Sequence, residues 1–110
     1  MTGSEDICEV VITAPNVDWL ADFTRRLVED RLCTGGHITE HVRSIYRWQG
    51  QVYDKHEARV ALRSRMALVP AIIERTNAEH PYEVPCVLAL PIAAANPAYA
   101  QWIRDETREP

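Results

Sequence analysis

The chain has 110 residues, of which 46% are hydrophobic and 25% charged, and a formal net charge of -4. That length suits one domain with its own core, which argues against a second domain or a reliance on disulfide staples, and the composition excludes a wholly disordered chain. With an acidic balance there is no electrostatic footprint for nucleic acid, so none is expected as a partner.

Cys8, Cys33 and Cys86 are odd in number and show no CxxC spacing, which fits free thiols in a reducing compartment. The opening MTGSEDICEVV has neither a basic nor an apolar leader pattern, and no stretch approaches the roughly 20 apolar residues that span a bilayer. Cytoplasmic location without membrane contact is therefore expected.

Ile7 to Ala14 (ICEVVITA) is rich in β-branched residues with apolar groups on both faces, as in a strand buried in mid-sheet. Asn16 can cap a following helix, Asp18 suits its first turn, and Leu20, Phe23, Leu27 and Leu32 extend an apolar stripe that predicts a helix to about Leu32. Gly35 and Gly36 break that pattern. Ile38 to Trp48 reads as a strand, Gln49-Gly50 as a two-residue hairpin loop, and the return segment alternates Ala58, Val60 and Leu62 with Arg59, Ala61 and Arg63.

Met66 to Asn77 carries Leu68, Val69, Ile72 and Ile73 at helical spacing, with Pro70 tolerable in the first turn. His80 to Ile92 (HPYEVPCVLALPI) has strand composition, and Pro85 and Pro91 point to a sheet edge. Asn96-Pro97 is a cap-then-first-turn signature for a short helix with Tyr99, Trp102 and Ile103 on its apolar face, after which DETREP should be solvated.

The order β-α-β-β-α-β plus a C-terminal helix predicts an α+β, ferredoxin-like sandwich, a single domain over residues 1–110 with its core at about 7–106. Both helices would cover one sheet face. The other face, expected to carry Val11, Ala61, Val87 and Ala89, would then need other copies of the chain to cover it.

Four segments carry a family resemblance: TAPN (13–16), SIYRWQGQV (44–52), HPYEVPCVLALPI (80–92) and NPAYAQWI (96–103). In that order and spacing they resemble the CutA family of divalent-cation tolerance proteins, over nearly all of 7–103. The resemblance implies a tight homotrimer built like the PII signalling proteins, with long hairpins extending sheets between subunits and clefts at the interfaces. It also implies a role in divalent-cation tolerance, with copper binding in some members. Two positions depart from the family pattern. Leu32-Cys33-Thr34-Gly35 stands where the family often reads L-A-A-C, and Cys86 stands where a Glu often follows the second proline of PYEVP.

Thiolate and imidazole ligands suit copper(I) or zinc, which makes Cys33, Cys86 and His80 the candidate metal ligands for copper or another divalent cation. His37 and His41, four apart in a strand, would stand about 13 Å from each other and could not easily share an ion. Arg63, Tyr82 and Glu83 are candidates for a ligand cleft, where an alternative PII-like signalling role would place a small anionic ligand beside Arg63 and His80. Tyr46, Trp48 and Trp102 are candidates for the trimer interface, since aromatics at a hairpin tip or on a terminal helix are costly to leave in water. No GxSxG, HExxH, Walker or GxGxxG motif occurs, so an enzymatic function is not expected.

Overall fold

A computed structural model describes residues 6–110. Its elements run β1 (Ile7–Ala14), α1 (Val17–Glu29), β2 (Gly35–Trp48), β3 (Gln51–Arg65), a 3-10 turn (Met66–Leu68), α2 (Val69–Glu79), β4 (Val87–Pro91) and α3 (Pro97–Glu106). The sheet is antiparallel in the order β2-β3-β1-β4, so β1 is internal and β4 an edge, as the sequence predicts.

Alternation along the strands assigns the two faces. Cys8, Val10, Ile12 and Ala14 of β1 join Ala58, Val60 and Leu62 of β3 under α1 and α2, where Leu20, Phe23, Leu27, Leu68 and Ile72 complete the core. Each large side chain fully buried there contributes about 1.5–3 kcal/mol by removal of apolar surface from water. Gly36 of β2 lies directly against this packing. A Cβ at that position would meet Val60 Cγ2 at 2.7 Å, whereas one at Gly35 would meet nothing within 4 Å.

Helix α1 starts as expected, with the Asn16 side chain accepting from the Trp19 N–H at 2.9 Å, but it stops before Leu32. Arg31 takes φ 60°, the Arg31 N–H donates to Val28 O, and the Leu32 N–H donates to Leu27 O. This is a Schellman ending with arginine at the position usually given to glycine, and it drops Leu32 into the core as the accompanying apolar contact. The sequence misleads because the apolar spacing continues past the turn with no glycine to mark it.

Further expectations are corrected by β4 and the chain end. The strand spans only Val87–Pro91, while residues 80–86 form bends, because Pro81 and Pro85 cannot donate to a ladder. The register pairs Val10 with Ala89 and Ile12 with Val87, so Val87 and Ala89 lie on the helix-covered face. Leu88 and Leu90, 59% and 48% exposed, occupy the open face instead, beside Val11 and Ala61, which are already buried within the subunit. That face is also not wholly bare. Ala100 and Ile103 of α3 pack on Ile7, with Ile92 alongside.

The residues after α3 are tied down where solvation was expected. Thr107 is buried, and its hydroxyl donates to Ile103 O and accepts from Arg65 Nε at 2.9 Å. From the other side Arg31 donates to Glu106 O at 3.1 Å and Asp105 O at 2.8 Å, and the Arg108 N–H returns a bond to Arg31 O. Arg31's side chain is thus spent on the last carbonyls of α3.

The β2-β3 hairpin, with strands of 14 and 15 residues against 8 in β1, runs on past the rest of the sheet, and the subunit with it measures 44 Å along its longest axis against 25 and 22 Å across. Gln49 (φ 48°) and Gly50 (φ 79°) make the tight two-residue turn at its tip. Part-way along, the register shifts between Thr39 and Val42 at a bulge where His41 takes φ 58°. No helix among the described residues is long and apolar enough to cross a membrane.

Candidate functional site

A cleft of about 560 Å³ opens on the uncovered sheet face between the hairpin arm and the 80–86 segment. The hairpin contributes Tyr46, Trp48 and Glu57, and the segment contributes Tyr82, Glu83 and Cys86. Beyond the bulge, Tyr46 pairs across the hairpin with Tyr53, their rings stacked at 5.3 Å.

His80 holds the 80–86 segment in place. Its Nδ1 accepts from the Tyr82 N–H at 3.0 Å, so the ring proton sits on Nε2, which lies 2.7 Å from Thr13 O and donates to it. The ring is buried, edge-on to Trp19 at 5.0 Å and tilted against Tyr82 at 5.0 Å. Both nitrogens are thereby occupied, which makes His80 a fastener of the loop on β1 and leaves it no lone pair for a metal ion.

Tyr82, fixed by that fastening, reaches across the cleft. Its hydroxyl donates to Glu57 Oε2 at 2.7 Å, and burial, followed by the adjoining Glu57 carboxylate, raises the phenol well above its ordinary value. Glu57 itself is only 7% exposed. Among the described residues no Lys, Arg or His is ion-paired with it, and the residues lining the cleft include no basic side chain.

The candidate metal ligands do not converge. Cys33 is a core residue 1% exposed, with its thiol pushed up to about 12 by burial, and Cys8 is likewise buried and pushed up to about 11. Thiols held protonated are poor ligands. Cys86 alone is partly exposed, at the cleft. No group of three or more His, Cys, Asp or Glu among the described residues is arranged to hold a metal ion.

Arg63 lies outside the cleft lining. It pairs with Glu9, its register partner on β1, at 3.0 Å, which neutralises the charge that an anionic ligand would need. Tyr82 and Glu83 do line the cleft, as do Tyr46 and Trp48, whereas Trp102 stands half-exposed on α3 beside Tyr99, ring centroids 5.5 Å apart.

The residue that sequence reasoning missed is Glu57. It lies in the DKHEARV stretch, just ahead of the alternating residues that the sequence marks as a strand. Its position on the open face could be found from parity with Arg59, Ala61 and Arg63, but its hydrogen-bond partner, Tyr82, is 25 residues away.

Comparison with known proteins supports one family throughout. The family model described as "CutA1 divalent ion tolerance protein" matches residues 8–106. The Divalent-cation tolerance protein CutA of Thermus thermophilus is 39% identical over 98 residues, covering 89% of this chain and 95% of that protein. Protein CutA of Mus musculus is 34% identical over 96 residues, and there the chain spans about half of the relative's length, 54%. Among solved structures, that of CutA1 from Oryza sativa superposes with a TM-score of 0.93 at 29% identity, covering 99% of this chain and 100% of that one. The Cut A1 structure from Thermus thermophilus gives 0.89 at 37% identity, covering 93% and 99%. By family match, identity and fold together, the chain belongs to the CutA1 divalent ion tolerance family.

Proposed function

We propose that the chain acts in tolerance of divalent cations as a cytoplasmic homotrimer, a binding protein and not a catalyst, and that it contacts copper weakly through Cys86. The observation that carries the assembly is the row Leu88 and Leu90 on a sheet face that α3 covers at one end only, next to a hairpin arm that extends past the body. Ile45 and Val52 on that arm are 65% and 63% exposed, and Trp48 also meets solvent at its tip. Apolar surface spread in this way favours burial against further copies of the same chain. The threefold closure is the arrangement that the family resemblance implies. Three free thiols, two of them in the core, fit a reducing compartment.

For copper, Cys86 is the soft donor that solvent reaches, and it shares the cleft with the Glu83 carboxylate. Two donors from one subunit match weak binding, with further ligands drawn from water or a neighbouring copy.

Light scattering tests the assembly. The expected mass is three times that of the subunit, Leu90→Glu should lower it while preserving helical circular dichroism, and a stable single subunit at micromolar concentration would overturn the proposal. Titration of the reduced protein with copper(I) tests the metal contact, which is lost as a reading if Cys86→Ser binds as well as the parent chain.

A further inference from the structure

Glu57 is a buried carboxylate that faces a cavity and has no counter-ion among the described residues. Moving a carboxylate out of water is costly unless it is paired, and one phenolic hydrogen bond from Tyr82 supplies direction but no positive charge. His41 and His56 share a small neighbouring hollow with Glu57, yet neither occurs among the ion pairs of the described residues. The cleft on its other side holds a second carboxylate, Glu83, and three aromatic side chains, Tyr46, Trp48 and Tyr82.

The volume and walls indicate what would supply the missing charge. At about 560 Å³ the cleft is far larger than a bare metal ion, and within the range typical of small-molecule sites. A hard divalent ion needs about six oxygen ligands at close range, which the described residues do not assemble. An ammonium group on an organic body meets every feature of the site. Its charge answers Glu57, aromatic rings attract cations through their π-faces, and its carbon frame fills the apolar remainder.

We propose that this cleft binds a small organic cation, with Glu57 as its counter-ion and Tyr46, Trp48 and Tyr82 as its aromatic walls. An anion is opposed by the same residues, since both charges in the lining are negative. Copper at Cys86 would use the same cleft, and the site stands only where the assembled subunits leave that cleft open.

The test uses the full chain in its native assembly, with choline as probe and its neutral isostere 3,3-dimethylbutan-1-ol as control, followed by calorimetric titration and thermal unfolding. Choline should bind at least tenfold more tightly than the isostere and raise the melting temperature with concentration, as any ligand of the folded state must. Glu57→Gln keeps the shape and an acceptor for Tyr82, and it should lose at least tenfold in choline affinity while leaving the isostere unchanged. Should that variant fold poorly, the solvent-facing Trp48→Leu should also weaken choline binding, and Cys86→Ser should not. Equal binding of the two probes would reduce the cleft to an apolar hollow and overturn the proposal. So would the absence of choline binding, including the case in which a neighbouring subunit's basic side chain already fills the cleft.

Discussion

The Tyr82 hydroxyl donates to Glu57 Oε2 at 2.7 Å, tying the loop after α2 to the base of the hairpin arm across 25 residues of chain. Tyr82→Phe removes the donor and leaves a 7%-exposed carboxylate without that hydrogen bond. The expected loss is roughly 1–3 kcal/mol in urea denaturation, whereas Tyr99→Phe, at a half-exposed ring, should change little.

The same contact sets an alkaline limit. The folded state holds Tyr82 protonated beyond its ordinary value of 10.0, first because the ring is desolvated and then because Glu57 accepts from it. Above about pH 10 the unfolded chain releases this proton while the folded chain retains it, so stability falls as pH rises through that window. Ultraviolet titration should show one tyrosine of four ionising after the others, and Tyr82→Phe should flatten the alkaline loss.

Thiol reactivity should divide the three cysteines. Burial keeps Cys8 and Cys33 protonated, pushed up to about 11 and about 12, while Cys86 meets solvent at the cleft. At pH 8, Ellman's reagent should titrate a single thiol in the native state and three in denaturant. Cys86→Ser should abolish the native reaction, and a native count of three would contradict the burial of the other two.

Neighbouring glycines should respond differently to one methyl group. A Cβ at Gly36 would stand 2.7 Å from Val60 Cγ2 and 2.9 Å from Leu62 Cδ2, inside packed core, so Gly36→Ala should cost about 1–3 kcal/mol. Gly35→Ala, with open space, should stay within about 0.5 kcal/mol of the parent chain. Denaturation midpoints measured side by side decide the matter.

At the bulge, His41 adopts φ 58°, a conformation that costs most residues roughly 1 kcal/mol and β-branched ones more. His41→Gly should hold or raise stability by up to about 1 kcal/mol, and His41→Val should lower it by about 1–2 kcal/mol. Equal midpoints for the two variants would mean that the bulge conformation stores no strain.

Much of the fold was legible because each signal was local. The β-branched run of β1, the Asn16 and Asn96 caps, Pro70 and Pro97 in first turns, and the Gln49-Gly50 turn all declare themselves within a few residues. What failed depended on partners distant in sequence. Val87 to Pro91 is apolar almost throughout, so only pairing with β1 shows that Leu88 and Leu90, not Val87 and Ala89, face outward. The extended reading of 80–86 missed that His80 is fastened to Thr13, and the cleft reading of Arg63 missed that its register partner is Glu9. Tyr82 and Glu83, candidates because aromatic and charged groups in a proline-stiffened loop are where function concentrates, do line the cleft, which leaves their role open. Glu57 was not legible, since nothing near it in sequence shows that it is buried.

The clasp at the end of α3 determines how that end would come loose. Arg31 grips the carbonyls of residues 105 and 106 from one flank while Arg65 grips Thr107 and the carbonyl of Arg108 from the other. A pull on this stretch loads both guanidinium groups together, so detachment should come as one abrupt rupture with little gradual fraying. Once the clasp is freed, the left-handed turn at Arg31 would still be held by the bonds of Arg31 N–H to Val28 O and Leu32 N–H to Leu27 O, so slackness would stop short of α1.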